Sequence, residues 1–189
     1  MRLLSLKKLL VTPKCVGNRQ LFTWVNIMFN KVDEDRRKHL GPDRTCAEWV
    51  LRNGGKVRWK GTNDFLSDYN SLPIEGTMLR LEEVDGSNSS ISHVGFPHFV
   101  GCNDLLRIIL HKCYYIEDEG LSYLSELNGR LKYLQISSCG NITDEGIKRL
   151  DKLNKLKTLV LFDLPHVKKK EETLEYLKHF LVDTSIEFK

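Results

Sequence analysis

The feature that most constrains the fold is a period. Residues 113–120 read CYYIEDEG and residues 139–146 read CGNITDEG, 26 positions apart. The match holds in a wider frame. LLRIILHKCYYIEDEGLSYLSEL (105–127) lies over LKYLQISSCGNITDEGIKRLDKL (131–153). A third copy, LKTLVLFDLPHVKKKEETLEYLKHFL, starts at Leu156, 25 residues after Leu131, with Leu164 in place of the Cys. A weaker copy, LRLEEVDGSNSSI, starts at Leu79. In this alignment Val84 and Ser87 stand where Leu110 and Cys113 do. A fixed step of this length marks stacked supersecondary units, none of which can bury its apolar side alone.

Each unit splits into two rhythms. Leu131, Leu134 and Ile136 place apolar side chains around a short strand. Thr143 to Leu153 then reads as a helix, with Thr143 as N-cap and Asp144 and Glu145 in the first turn, where the helix dipole favours anions. Ile147, Leu150 and Leu153 share one helical face and point to the core. The pattern L-x-x-L-x-L-x-x-C followed by I-x-D-x-G-[LI]-x-x-L resembles the cysteine-containing leucine-rich repeat. That resemblance implies an α/β fold: a short leucine-rich repeat solenoid, a right-handed horseshoe of about four repeats. The repeat domain is expected over 78–189, closed by a last helix in LEYLKHFL and a strand in SIEFK.

Residues 21–77 follow another pattern and are expected to form an N-terminal helical capping domain that covers the open end of the solenoid. One helix is predicted from about Trp24 to Val32 and a second from about Asp43 to Asn53, separated by Gly41-Pro42. Gly54-Gly55 ends the second as a left-handed C-cap. VRW (57–59) reads as a short edge strand and DYNSLP (68–73) as a turn.

The first 20 residues stand apart. They hold Arg2, Lys7, Lys8, Lys14 and Arg19 and no acid, so removing them takes the formal net charge from +4 to −1. A basic, Leu-rich, acid-free start is the pattern of a mitochondrial transit peptide, with cleavage expected between residues 15 and 25. A basic tail or a short nucleic-acid arm is the alternative reading. No stretch reaches the roughly 18 uninterrupted apolar residues of a membrane span. Five cysteines, Cys15, Cys46, Cys102, Cys113 and Cys139, lack C-x-x-C or zinc spacing. Cys113 and Cys139 read as small buried apolar residues on adjacent units, or as a redox pair. The six histidines sit in no nucleophile or H-E-x-x-H pattern, and no Gly-rich phosphate loop is present. No catalytic residue, small-molecule substrate or nucleic-acid partner is expected, and interaction is the expected role.

Several strings go beyond the repeat: FNKVD (29–33), GPDR (41–44), DYNSLP, SISHVGF and LFDLPHVKKKE. Together they resemble the family of mitochondrial ATP synthase subunit s, or coupling factor B, over nearly the whole chain. The resemblance implies a peripheral protein on the matrix side of the inner membrane that joins the ATP synthase membrane sector and supports coupled proton flow. A sister group implies the alternative of an assembly factor for the membrane arm of respiratory complex I. A cytosolic F-box-like substrate adaptor, which shares the repeat type, is the other class. The family also implies a structural Mg2+ held partly by main-chain carbonyls, here at Gly54 and Ser87. A hard cation suits carbonyl and water oxygens. Alternatively Gly54 is only a C-cap and Ser87 only fills the strand-end Cys position. The family's C-x-C reads His111-Lys112-Cys113 here, so a vicinal dithiol is not expected. The concave face of the solenoid is the expected partner surface, through Arg107, His111, Lys132, Tyr133, Gln135, Lys157 and Phe162. Its Arg, Lys and Tyr content suits an acidic partner.

Overall fold

Alternation decides the sheet. RIILH, YLQIS and TLVLF put Ile108 and Leu110, Leu134 and Ile136, and Leu159 and Leu161 on one face, all fully buried. The computed structural model describes residues 17–189, so residues 1–16 of the expected leader lie outside it. The strands are β1 (Lys56–Trp59), β2 (Leu81–Asp85), β3 (Arg107–His111), β4 (Tyr133–Ser137), β5 (Thr158–Phe162) and β6 (Ser185–Phe188). They pair in chain order in one open, mixed, six-stranded sheet. β1 runs antiparallel to β2, and all later neighbours are parallel. Parallel neighbours need a crossover. α4 (Asp118–Tyr123) and α5 (Asp144–Lys148), each continued by a 3₁₀ turn, and α6 (Lys170–Phe180) supply three of them. Their Leu121, Ile147 and Leu177 join the strand leucines in a single core. Burying each such side chain contributes about 1.5–3 kcal/mol.

One backbone device repeats. Asn88, Lys112, Ser138 and Asp163, each just past a strand, all have φ between 52° and 56°. The Asn88, Lys112 and Ser138 N–H groups donate to His111, Ser137 and Phe162 carbonyls of the next strand, at 2.8–3.1 Å. This left-handed kink turns each chain inward, so the following residue enters the core: Cys113, Cys139 and Leu164. It also corrects the alignment of the first copy. Val84 pairs with Ile108, not with the Leu110 position, and Ser89, not Ser87, takes the Cys place. Ser89 is buried with Oγ 4.0 Å from Cys113 Sγ. The first unit is shorter by two residues than the pattern of leucines suggested.

The Asp-x-Gly of the two middle units is a contact between units. Asp118 accepts from the Thr143 N–H at 2.9 Å and from the Thr143 hydroxyl at 2.5 Å. Asp144 repeats this on the next unit, accepting from Lys168 N, Lys169 N and Thr173 Oγ1 at 2.9–3.0 Å. These bonds hold its carboxyl below the usual range although desolvation by burial pushes it up. Gly146 makes room: a Cβ there would fall on the Asp118 carboxylate, 2.6 Å from Cγ. Gly120 makes the same room for His93, with its Cβ position 2.8 Å from His93 Cβ. The helix expected over 143–153 breaks into α5 and its 3₁₀ turn (Arg149–Lys152). Thr143 caps it, accepting from Glu145 N.

The N-terminal segment holds three helices where the sequence pattern predicts two. α1 (Gly17–Asn30) begins before Trp24 and ends before Val32. α2 (Glu34–Leu40) was not expected. Asp33 caps it, acids fill its first turn and bases its last. α3 (Pro42–Arg52) ends at Gly54, φ 86°, as expected. Asn30, fully buried, ties this segment to the sheet. Its Oδ1 accepts from Trp49 Nε1 and from Ser92 N, each at 2.9 Å. Burial alone would raise the Glu48 carboxyl. The guanidiniums of Arg36 and Arg44, at 2.7 and 2.9 Å, reverse this and hold it low. His98 stacks on Trp49 at 5.0 Å and 10° with neither ring nitrogen partnered. Desolvation, aided by Arg37, pulls its pKa down to about 4.

Two predictions follow from this packing. Gly to Ala inside a helix ordinarily stabilises by about 1 kcal/mol. Gly146→Ala is expected to destabilise instead, by roughly 1–3 kcal/mol of overpacking, and the sign is to reverse when Asp118→Ala accompanies it. Chemical denaturation of the four-member cycle measures this. His98 sets a pH dependence. Its folded pKa lies below its unfolded value, so the unfolded chain binds the extra proton between about pH 6.5 and 4. Stability is full above that window and falls through it on acidification, by on the order of 3 kcal/mol. His98→Phe is expected to remove most of the slope between pH 6.5 and 5.

Candidate functional site

The strand residues that alternate with the core positions form the sheet face that the helices leave open. Register sets Glu83, Arg107, Tyr133, Thr158 and Ser185 in one row and Ile109, Gln135, Val160 and Glu187 in the next. His111, Ser137 and Phe162 make a third. A chain of contacts crosses these rows. Arg58 pairs with Glu82 at 2.6 Å and Glu83 at 2.5 Å, and Arg107 reaches Glu83 at 3.8 Å. The Arg107 guanidinium lies over the Tyr133 ring, 3.7 Å from its centroid. Tyr133 Oη donates to Gln135 Oε1 at 3.0 Å, and Gln135 Nε2 donates to Ser137 Oγ at 3.1 Å. Ser137 Oγ sits 2.9 Å from His111 Nδ1, and the His111 ring is tilted against Phe162 at 5.9 Å. Side chains locked by such contacts lose less entropy on binding.

Of the residues expected here, Arg107, His111, Tyr133, Gln135 and Phe162 lie on this face and touch in series. Lys132 and Lys157 do not share it. They precede β4 and β5, and adjacent strand positions cannot both point to one face. Instead they mark the strand entrances, where Lys132 O accepts from Lys157 N at 2.8 Å. Among the described residues neither lysine pairs with an acid, whereas Arg107 does. The basic character expected of the face therefore belongs to its entrance edge, and the face proper is closer to neutral. Ser137 and Glu83 were missed. Ser137 is fully buried and central to the chain of contacts. Its signal was the odd-numbered strand spacing that it shares with Tyr133 and Gln135.

Gly54 and Ser87 both lie at the junction of the N-terminal segment and the sheet, just before β1 and just after β2. Lys56, two residues after Gly54, pairs antiparallel with Asp85, two residues before Ser87. The neighbouring groups are already used: Asn53 O accepts from Ser90 N and Asp85 Oδ1 from Ser87 N, each at 2.9 Å. Among the described residues no hydrogen bond reaches the Gly54 or Ser87 carbonyl. Carbonyl oxygens without a hydrogen bond are the kind of ligand that suits a hard divalent cation completed by water. Ser87 is not the strand-end residue in the Cys place; that is Ser89.

Sequential parallel strands, helical returns and one ordered open face define an α/β protein built to present a sheet surface. No family model matches the chain. Curated relatives do. It is 43% identical over 178 residues to "ATP synthase subunit s, mitochondrial" of Rattus norvegicus, covering 92% of this chain and 88% of the relative. It is 42% identical over 182 residues to the Bos taurus and Homo sapiens proteins of the same name, covering 94% of this chain and 89% of each. The chain belongs to the family of mitochondrial ATP synthase subunit s.

Proposed function

We propose that this chain is a non-catalytic, peripheral protein of the mitochondrial inner membrane, on the matrix side. In this reading it associates with the membrane sector of ATP synthase and supports coupled proton conduction. The observation that carries this is 41–43% identity over nearly the full length to relatives named as that subunit. Among the described residues no helix is long and apolar enough to cross a membrane, which supports a peripheral attachment. The successive strands and returns support reading the sheet as the inner surface of a short leucine-rich repeat solenoid, with residues 21–77 as its cap. The sheet face from Arg107 to Phe162 is then the docking surface, and Lys132 and Lys157 at its edge favour an acidic partner region. Preordered aromatic and Arg side chains suit that role. A structural Mg2+ at the Gly54 and Ser87 carbonyls would tie the cap to the first strand pair and supply charge, not chemistry.

Capture of the tagged protein from gently solubilised mitochondria tests the reading. Co-migration with ATP synthase is expected. The Lys132→Glu/Lys157→Glu variant is expected to lose it by about tenfold, the equivalent of 1.4 kcal/mol, with an unchanged melting curve. Co-migration with complex I assembly intermediates, or with a ubiquitin-ligase scaffold, would overturn it. For the cation, millimolar Mg2+ is expected to raise the melting temperature by a few degrees and EDTA to reverse this. Asp85→Asn is expected to shrink the shift.

A further inference from the structure

Outside both sites, one position departs from the Asp-x-Gly ladder. His93 faces Gly120 as Asp118 faces Gly146: in each pair a glycine Cβ would lie 3.1 Å from the preceding unit's Cα. At Asp118 and Asp144 this place holds a carboxylate that caps the next unit's backbone. At the first unit it holds an imidazole, which has no such bond to make. Instead the His93 ring gathers with Glu117 and Glu119, whose ligand atoms and its own lie within 4.8 Å of one another.

We propose that His93, Glu117 and Glu119 form a binding site for a divalent transition ion of the Zn2+ type. Three features support it. His93 Nδ1 lies 3.2 Å from the Tyr115 carbonyl. A carbonyl can only accept, so Nδ1 carries the proton and Nε2 presents its lone pair. That second bond, an imidazole N–H to a backbone carbonyl, is the arrangement that orients ligating histidines. The ring is held from below as well, because Gly120 packs on His93 Cβ. Finally, among the described residues no Lys or Arg pairs with Glu117 or Glu119, whereas Glu145 of the following unit pairs with Lys148 at 3.5 Å. Two carboxylates and one imidazole leave coordination positions for water. Glu117 and Glu119 also line a neighbouring concavity of about 390 Å³ with Thr143 and His166, which keeps the two carboxylates open to solvent. The imidazole selects for Zn2+, Co2+ or Ni2+ over Mg2+, which prefers oxygen ligands alone. The site is thus chemically distinct from the carbonyl pair at Gly54 and Ser87.

Isothermal titration of Zn2+ into the full-length protein in excess Mg2+ tests this, with Co2+ as a spectroscopic probe. One ion per chain is expected, with cobalt d–d bands and no thiolate charge-transfer band. His93→Ala keeps the Cβ that packs on Gly120, and Glu119→Gln keeps the backbone of α4. Each is expected to weaken Zn2+ binding by about tenfold or more, with the melting curve in chelator unchanged. Wild-type affinity in both variants would overturn the site. So would a thiolate band from cobalt, or displacement of Zn2+ by equimolar Mg2+.

Discussion

The structure depends on satisfying each unit's backbone from its neighbour. A short return helix leaves N–H groups without partners at its start, and burial makes each unmet donor cost about 1–3 kcal/mol. Asp118 and Asp144 meet this demand across the gap between units, and Gly146 permits the approach of Asp118. The same residues that fix the spacing thus supply polar satisfaction and packing together. After β2, β3 and β4 the left-handed residue repeats the same bond to the next strand, which helps keep these strands parallel and in register.

That scaffold leaves one sheet face free. Its side chains are joined from Arg58 to Phe162 by ion pairs, a cation–π contact and hydrogen bonds, so it is ordered before any partner arrives. At the other end of the molecule, Asn30 bonds Trp49 and the chain after β2 at once, fixing the helical segment onto β1 and β2. Gly54 and Ser87 flank this junction, just before β1 and just after β2. Surface and junction are therefore positioned by different interactions and respond separately to substitution.

Much of this was legible in the residues, but unevenly. The face residues from Arg107 to Phe162 could be read because strand alternation is local. Lys132 and Lys157 stand between the same leucines but one position before Tyr133 and Thr158, and one step inverts the face. α2 was missed because EDRRKHL has no apolar period. Its signals were the Asp33 cap, the acid-then-base order and Gly41. The first copy was aligned by its leucines, which fit two registers. Only the bonds of Asn88 and the depth of Ser89 separate them.

The sequence by itself determined the period, the strand and helix order within each unit, the edge strand at VRW and the cap at Gly54. These follow from side-chain spacing and backbone freedom within a few residues. The tertiary structure alone decided why Asp-x-Gly recurs, which serine replaces the cysteine, that Arg107 is neutralised by Glu83, and that His93 gathers Glu117 and Glu119. The physical reason is common to all four. Each is a contact between neighbouring units or strands, more than 20 residues apart in the chain, set by how one unit stacks on the next.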